Sequence, residues 1–344
     1  ERFELFDALL LRPTVPSVRQ LFLRLAFRLP QLRAAAVLGR KGEQRDFLEW
    51  MTSGEPELIC VYGRRRVGKT YFVNELLDGY YAFDTSAQDK SSETVQLRIF
   101  HAALREYGDE SPSAPSDWWE AFDRLKALLD RPECPRTPEG MRAVFIDELP
   151  WFDKPKSDFM AAFSLFWNAW ASKRRDVLLI VCGSATSWII EHVLENSGDL
   201  FNRVSEMIHL APFTLRETQD YLESRKVHWD ERTVLECYMV FGGLPYYLKR
   251  INRRQGLAQN ITELCLKPHA RFRNEYSQIL ESSFRKTQLH RHILEVLSTV
   301  KQGMTRQALL EALGMDGGGS FKKAVGEHLR EERTVTVIDT ETYV

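Results

Sequence analysis

The sequence predicts an α/β fold: a five-stranded parallel sheet with helices on both faces, followed by an all-α lid domain and a winged-helix domain. Three observations carry this. Between residues 58 and 210, short runs that are apolar throughout alternate with segments of helical spacing, the pattern of a parallel sheet covered on both sides. Beyond Phe213 the strand signals stop and helical spacing takes over. From residue 286 onward, three short helical segments precede the β-rich run Thr334–Ile338, which is the outline of a winged helix-turn-helix.

The elements follow in order. Leu58–Tyr62 is a run of strand formers between Pro56 and Gly63, which reads as a buried strand. Lys69–Asp78 is a helix with Phe72, Val73, Leu76 and Leu77 on its inner face, and Tyr80–Phe83 is the second strand. Ser92–Tyr107 and Trp118–Leu129 have helical spacing on either side of the Pro- and Ser-rich loop Ser111–Asp117. Ala143–Ile146 and Val177–Cys182 are continuous apolar runs of strand length, joined through the crossover helix Phe159–Trp170. Ala185–Leu194 is a further helix, and Ile208–Leu210, closed by Pro212, is the fifth strand. Arg216–Arg225, Asp230–Phe241, Pro245–Asn252 and Leu257–Leu266 read as the helices of the lid. His290–Val300, Thr305–Leu313 and Ser320–Arg330 are those of the winged helix. The division is therefore 1–36, an N-terminal appendage; 37–212, the α/β core; 213–285, the lid; and 286–344, a winged helix cut short within its wing.

Composition narrows the class. A chain of 344 residues suits two or three domains. An apolar fraction of 44% with 28% charged residues is that of a globular protein rather than a disordered one. The formal net charge of -1 gives no whole-chain basic footprint, so nucleic-acid contact requires a local patch. Two segments are locally basic, one from Arg12 to Arg33 and one from Lys249 to Lys286, and a solvated face is the ordinary reading of such runs. The five cysteines form no CxxC pair, which points to core residues in a reducing, cytoplasmic setting. His290 and His292 lack the neighbours of a metal site. No apolar run reaches the roughly 18–20 residues of a membrane span.

The chemistry concentrates in two segments. Gly63-Arg64-Arg65-Arg66-Val67-Gly68-Lys69-Thr70 matches the phosphate-loop pattern and stands after a strand and before a helix, as the pattern requires. Glycine at 63 and 68 lets the backbone turn so that successive N–H groups converge on an anion, and the helix N-terminus adds partial positive charge there. Lys69 is then placed for the β- and γ-phosphates of ATP and Thr70 for Mg²⁺. The binding segment extends to Tyr71. The second segment is Ala143–Glu148, a strand ending in two acids. Asp147 is expected to hold Mg²⁺ through water, and Glu148 to be the base that orients the attacking water. Ser184, just after the strand Val177–Cys182, has two readings: a sensor of the γ-phosphate or a helix N-cap. Arg203, ahead of the fifth strand, is either an arginine finger, in cis or across subunits, or a surface salt-bridge residue.

With these residues in hand, the chain resembles the AAA-like archaeal and bacterial ATPase family of the STAND group, over about Val37 to Arg330. Gly39-Arg40-Lys41-Gly42-Glu43 is similar to its N-terminal element, which implies a place for Arg40 near the adenine. Phe145–Trp151, Cys182–Trp188 and Phe241–Leu248 are similar to further blocks, the last carrying Gly243 and Pro245 of the lid. Gly303–Arg306 and Gly317–Ser320 resemble its winged-helix region. The resemblance implies a P-loop NTPase acting as a nucleotide-driven switch or motor on nucleic acid or a protein partner; the leading reading is an ATPase that hydrolyses Mg-ATP slowly, and a homo-oligomer is among the expected partners. Family members commonly continue into a nuclease-like domain; the sequence stops at Val344, inside the expected wing, so no such activity is assigned. A second reading is a non-enzymatic, nucleotide-gated regulator that binds duplex DNA through Lys322, Lys323 and Arg330 on the third helix of the winged unit. Glu327, Glu331 and Glu332 oppose that contact.

Overall fold

The computed structural model describes residues 37–154, 156–184, 186–189, 203–275, 277, 287–300, 303–315, 318, 319, 321, 324, 325, 342 and 343. Helix α1 (Lys41–Met51) precedes strand β1 (Glu57–Tyr62) and helix α2 (Lys69–Leu77). Strand β2 (Phe83–Ser86), helices α3 (Glu93–Glu106) and α4 (Trp118–Leu129) and strand β3 (Arg142–Asp147) follow. Helix α5 (Phe159–Leu165) leads to strand β4 (Val177–Gly183), the short helix α6 (Thr186–Ile189) and strand β5 (Glu206–His209).

These five strands form one sheet in the order β2-β3-β4-β1-β5, with every pairing parallel. The α/β expectation is met. Strands β3 and β4 are buried along their whole length, because each side chain meets a helical layer whichever face it points to. Leu58, Cys60, Val144, Ile146, Leu179 and Val181 pack on one side with α3, α4 and α5, in a core that includes Trp118, Phe122 and Phe159. Ile59, Val61, Ala143, Phe145, Leu178 and Ile180 pack on the other side, with Phe47 of α1 and Phe72 of α2.

The order of strands decides the site. Strand β4 lies between β1 and β3, so whatever follows β4 sits between the loop after β1 and the acids after β3. Sequence spacing carries no such information.

Beyond β5 the described chain is mostly helical: α7 (Leu215–Ser224), α8 (Glu231–Phe241), the single turn α9 (Pro245–Leu248) and α10 (Leu257–Ile261). Phe213, Leu222, Val234, Cys237, Phe241, Leu248 and Phe272 join the same cluster as β1 and α2. Helices α11 (Thr287–Ser298) and α12 (Arg306–Leu313) share a third cluster, Ile293, Leu297, Leu309, Leu313, Phe321, Ala324 and Val325. Strand β6 (Met304–Thr305) pairs antiparallel with β7 (Thr342–Tyr343).

Several elements differ from expectation. The second strand begins at Phe83, three residues late. The Tyr80–Phe83 signal mixes strand with approach: Tyr81 stacks on Phe145 with centroids 6.1 Å apart, while pairing with β3 runs on to the polar Asp84, Thr85 and Ser86. The crossover helix ends at Leu165 and continues as a π turn, Phe166–Trp170. Leu257–Leu266 likewise splits into α10 and the π turn Thr262–Leu266. Helix α1 had no counterpart in the sequence reading. Residues 1–36, the segment 190–194, most of Ser320–Arg330 with Lys322, Lys323 and Arg330, and Thr334–Ile338 lie outside the described residues. Among the described residues no helix is long and apolar enough to cross a membrane, and no cluster of three or more His, Cys, Asp or Glu side chains is placed to hold a metal.

Candidate nucleotide site

Gly63 is where strand becomes loop. Its φ of 142° and a Cβ position 2.3 Å from the Leu210 carbonyl oxygen leave no room for a side chain. Gly68 closes the loop at φ 92° and caps α2. Between them the chain folds back, with Val67 N–H donating to the Arg64 carbonyl at 3.4 Å. Lys69, only 5% exposed, extends its Nζ across the loop and donates to the Gly63 carbonyl at 3.0 Å and the Arg64 carbonyl at 3.4 Å. Its ammonium group is thus held at the mouth of a glycine-bounded turn.

The two motifs meet directly. Thr70 Oγ1 donates to Asp147 Oδ2 at 2.8 Å. The other carboxylate oxygen of Asp147 accepts the N–H of Glu148 at 3.0 Å. Burial, reinforced by the neighbouring Glu148, pushes the Asp147 carboxyl above the ordinary aspartate range, against the pull of Thr70, the Glu148 N–H and Lys69.

Glu148 adopts the left-handed conformation, φ 51° and ψ 44°, and a tight turn, Leu149–Trp151, follows. Its carboxylate reaches the residue after β4: Ser184 Oγ lies 2.9 and 2.8 Å from the two oxygens, and Ser184 N–H 3.2 Å from the second. Gly183 makes this approach possible, since a Cβ there would stand 2.9 Å from the Pro150 ring. The strand order thus assembles Lys69, Thr70, Asp147, Glu148 and Ser184 at one sheet edge.

Arg40 is 7% exposed. Its Nη2 donates to the Val67 carbonyl at 2.5 Å and the Ala211 carbonyl at 3.2 Å, and its N–H to Glu217 Oε1 at 2.7 Å. It therefore braces the back of the loop. Glu217 was missed, although Thr214 and Glu217 complete a capping box on α7 that the sequence itself spells.

Two of the expected side chains lie away from the loop. The Arg66 side chain leaves the loop: its guanidinium lies 4.5 Å over the Tyr246 ring, donates to Tyr247 Oη at 3.2 Å and pairs with Glu275. Only its backbone belongs to the cradle. Arg203 lies at the opposite edge of the sheet. Ser205 N–H donates to the Leu58 carbonyl at 2.9 Å, at the start of β1, whereas the loop follows the end of β1. Arg64 and Arg65 are half-buried in the loop, Tyr71 is 56% exposed on α2, and Pro245 opens α9.

Fold and site together define a phosphate-loop class of α/β protein. The chain belongs to the family of ATPase domains found predominantly in Archaea, whose model matches residues 38–251. It is 24% identical over 216 residues to an uncharacterised protein of Methanocaldococcus jannaschii, a match that takes in 62% of this chain and 43% of that relative, so the chain spans less than half its length. A Walker-type ATPase of Pyrococcus abyssi has the same fold at TM-score 0.59 and 14% identity, over 90% of this chain and 93% of that one. So does the ORC1 protein of Aeropyrum pernix in complex with DNA, at TM-score 0.51 and 14% identity, over 92% and 90%.

Proposed function

We propose that the chain binds Mg-ATP at the loop Gly63–Thr70, with the helices beyond Phe213 as a lid, and hydrolyses it to drive a switch on nucleic acid or a protein partner. The observation that carries this is the 2.8 Å bond between Thr70 Oγ1 and Asp147 Oδ2. It brings two oxygen donors together beside a buried lysine, a donor set that suits a hard divalent cation sharing its remaining positions with water and phosphate. Thr70 would hold Mg²⁺ directly and Asp147 through water. The bound ion neutralises charge on the phosphates. Lys69 holds the β- and γ-phosphates. Glu148 orients the attacking water and takes its proton. Ser184 keeps the Glu148 carboxylate in place, Arg40 stiffens the loop from behind, and Pro245 fixes the entry to the lid. Buried free thiols at Cys60, Cys134, Cys182 and Cys237 suit a reducing, cytoplasmic setting.

Turnover by a single chain is slow in this reading, because Arg203 stands at the wrong edge of the sheet to serve its own site. The test is Mg-dependent phosphate release from ATP, with and without duplex DNA. Release that requires Mg²⁺ and is lost in Lys69→Ala supports the assignment, and no release under any condition ends it.

A second reading has one observation in its favour, the likeness of fold to a protein solved in complex with DNA. Here nucleotide gates duplex binding by the unit built on α11 and α12, through Lys322, Lys323 and Arg330. Nucleotide-dependent, salt-sensitive duplex binding without phosphate release would favour it.

A further inference from the structure

Arg66 is the fourth residue of the loop Gly63–Thr70, yet its side chain is spent elsewhere. It holds φ 71°, a left-handed conformation that is unfavourable for a non-glycine residue and persists only where the surroundings enforce it. The surroundings are the lid. The guanidinium stacks over Tyr246, donates to Tyr247 Oη and pairs with the carboxylate of Glu275. Tyr247 Oη in turn donates to Glu275 Oε1 at 2.6 Å, so the three groups form a closed ring of contacts. Arg66 and Glu275 are only 14% and 13% exposed, where a charge-assisted pair is poorly screened. The ring is rooted in the lid's aromatic packing: Tyr247 lies 4.9 Å from Phe272 and 6.2 Å from Phe241, centroid to centroid. The lid itself is fastened to the end of the sheet, where Phe213 N–H donates to the Gly243 carbonyl at 2.9 Å. A Cβ on Gly243 would stand 2.2 Å from the Phe213 carbonyl oxygen.

We infer that Tyr247 and Glu275 are positioning residues for the phosphate loop, acting through Arg66, and that this ring couples nucleotide occupancy to the lid. The inference rests on the nucleotide-site reading above. The loop binds phosphate through backbone N–H groups whose directions depend on the turn at residues 64–68. Holding Arg66 in its left-handed conformation pre-shapes that turn, which raises affinity by removing an ordering cost. Coupling of this kind is reciprocal, so phosphate in the loop must stabilise the ring and the lid by the same factor. Neither Tyr247 nor Glu275 has to touch nucleotide for this to hold.

The experiment compares wild type, Glu275→Gln and Tyr247→Phe as full chains. It measures ADP and Mg-ATP affinity, and hydrogen exchange of residues 64–68 and 245–248 with and without nucleotide. Glu275→Gln keeps the shape and removes the charge; Tyr247→Phe keeps the ring packing and removes the hydroxyl. Both variants are expected to bind nucleotide at least about 5-fold more weakly, the lower end of ordinary coupling between sites. Exchange in 64–68 should quicken without nucleotide, and the slowing of exchange in 245–248 on nucleotide addition should be lost. A merely structural role would leave that nucleotide response intact. If the wild type binds nucleotide and both variants match it in affinity and in lid response, the coupling is overturned and the site reading stands. If the wild type binds no nucleotide, the site reading falls and the coupling falls with it.

Discussion

Ser184 Oγ sits 2.9 and 2.8 Å from the two carboxylate oxygens of Glu148, so the residue after the central strand fixes the acid after its neighbour. Strand β4 is inserted between β1 and β3, which puts Ser184 beside the loop as well. Glu148 in turn is aimed by its left-handed backbone, φ 51°, and a misplaced base is nearly as ineffective as a missing one.

Glu148→Gln is therefore expected to retain ATP and lose turnover by roughly 10²–10⁴-fold, the usual worth of a positioned base. Ser184→Ala should lower kcat by about tenfold, in line with one hydrogen bond to a charged group, and leave ATP affinity within about twofold. Equilibrium nucleotide binding beside single-turnover hydrolysis reads both. Unchanged kcat in Ser184→Ala would make the serine a cap and nothing more.

Lys69→Ala removes the one ammonium that bridges the loop, in contact with the Gly63 and Arg64 carbonyls. Loss of a preorganised donor at a site of developing charge costs about 2.7–4 kcal/mol. ATP binding or turnover should fall by the corresponding two to three orders of magnitude in a protein that still unfolds cooperatively. Titration calorimetry with Mg-ATP is the check, and retained affinity together with retained turnover would remove Lys69 from the site.

The pH dependence follows from Asp147, whose carboxyl burial and Glu148 hold above the ordinary range. A raised carboxyl means that the folded chain binds more protons than the unfolded chain between the two pKa values. Stability contributed by the neutral form is present below the unfolded value and is lost as pH rises through the folded one. Metal binding needs the anion, so Mg-dependent turnover should fall on the acid side at a pH above the ordinary aspartate value. Asp147→Asn should raise the melting temperature at pH 7 while weakening Mg²⁺ binding by about 10- to 100-fold, the effect of an outer-shell partner. A lower melting temperature with unaltered Mg²⁺ dependence would contradict both halves.

What was legible in the sequence was what local pattern encodes. The strands at Leu58, Ala143 and Val177 are buried on both faces and announce themselves as continuous apolar runs, and the glycines at 63 and 68 mark a turn that little else tolerates. Strand β2 was misplaced because its pairing extends into Asp84–Ser86, polar residues near the site, while Tyr80 and Tyr81 only lead up to it. The destination of Arg66 was not legible at all: Tyr247 lies 181 residues away in sequence, and periodicity carries no information about such a partner. Strand order was hidden for the same reason, whereas the edge on which Arg203 falls follows from its place ahead of a strand in a parallel sheet.

That edge yields the last prediction. Ser205 clamps the start of β1, its N–H donating to the Leu58 carbonyl at 2.9 Å and its Oγ accepting the Leu58 N–H at 3.0 Å. Glu206 is in register with Ile59, and the five strands of the sheet run the same way. Arg203 is thus separated from the loop by the length of β1, roughly 17 Å at the usual rise per residue, more than an arginine side chain spans. Its guanidinium, exposed to solvent, can reach a transferring phosphoryl group only in a neighbouring copy. An arginine supplied in trans is worth about 10³–10⁵ in turnover, so turnover per chain should climb with protein concentration as the mass by light scattering climbs. Arg203→Ala should flatten that curve. Mixing Arg203→Ala, which keeps an intact loop, with Lys69→Ala, which keeps the arginine, should restore turnover that neither has alone, because each then supplies what the other lacks. If the mixture stays inactive while the two chains demonstrably associate, Arg203 is a surface residue and serves no site.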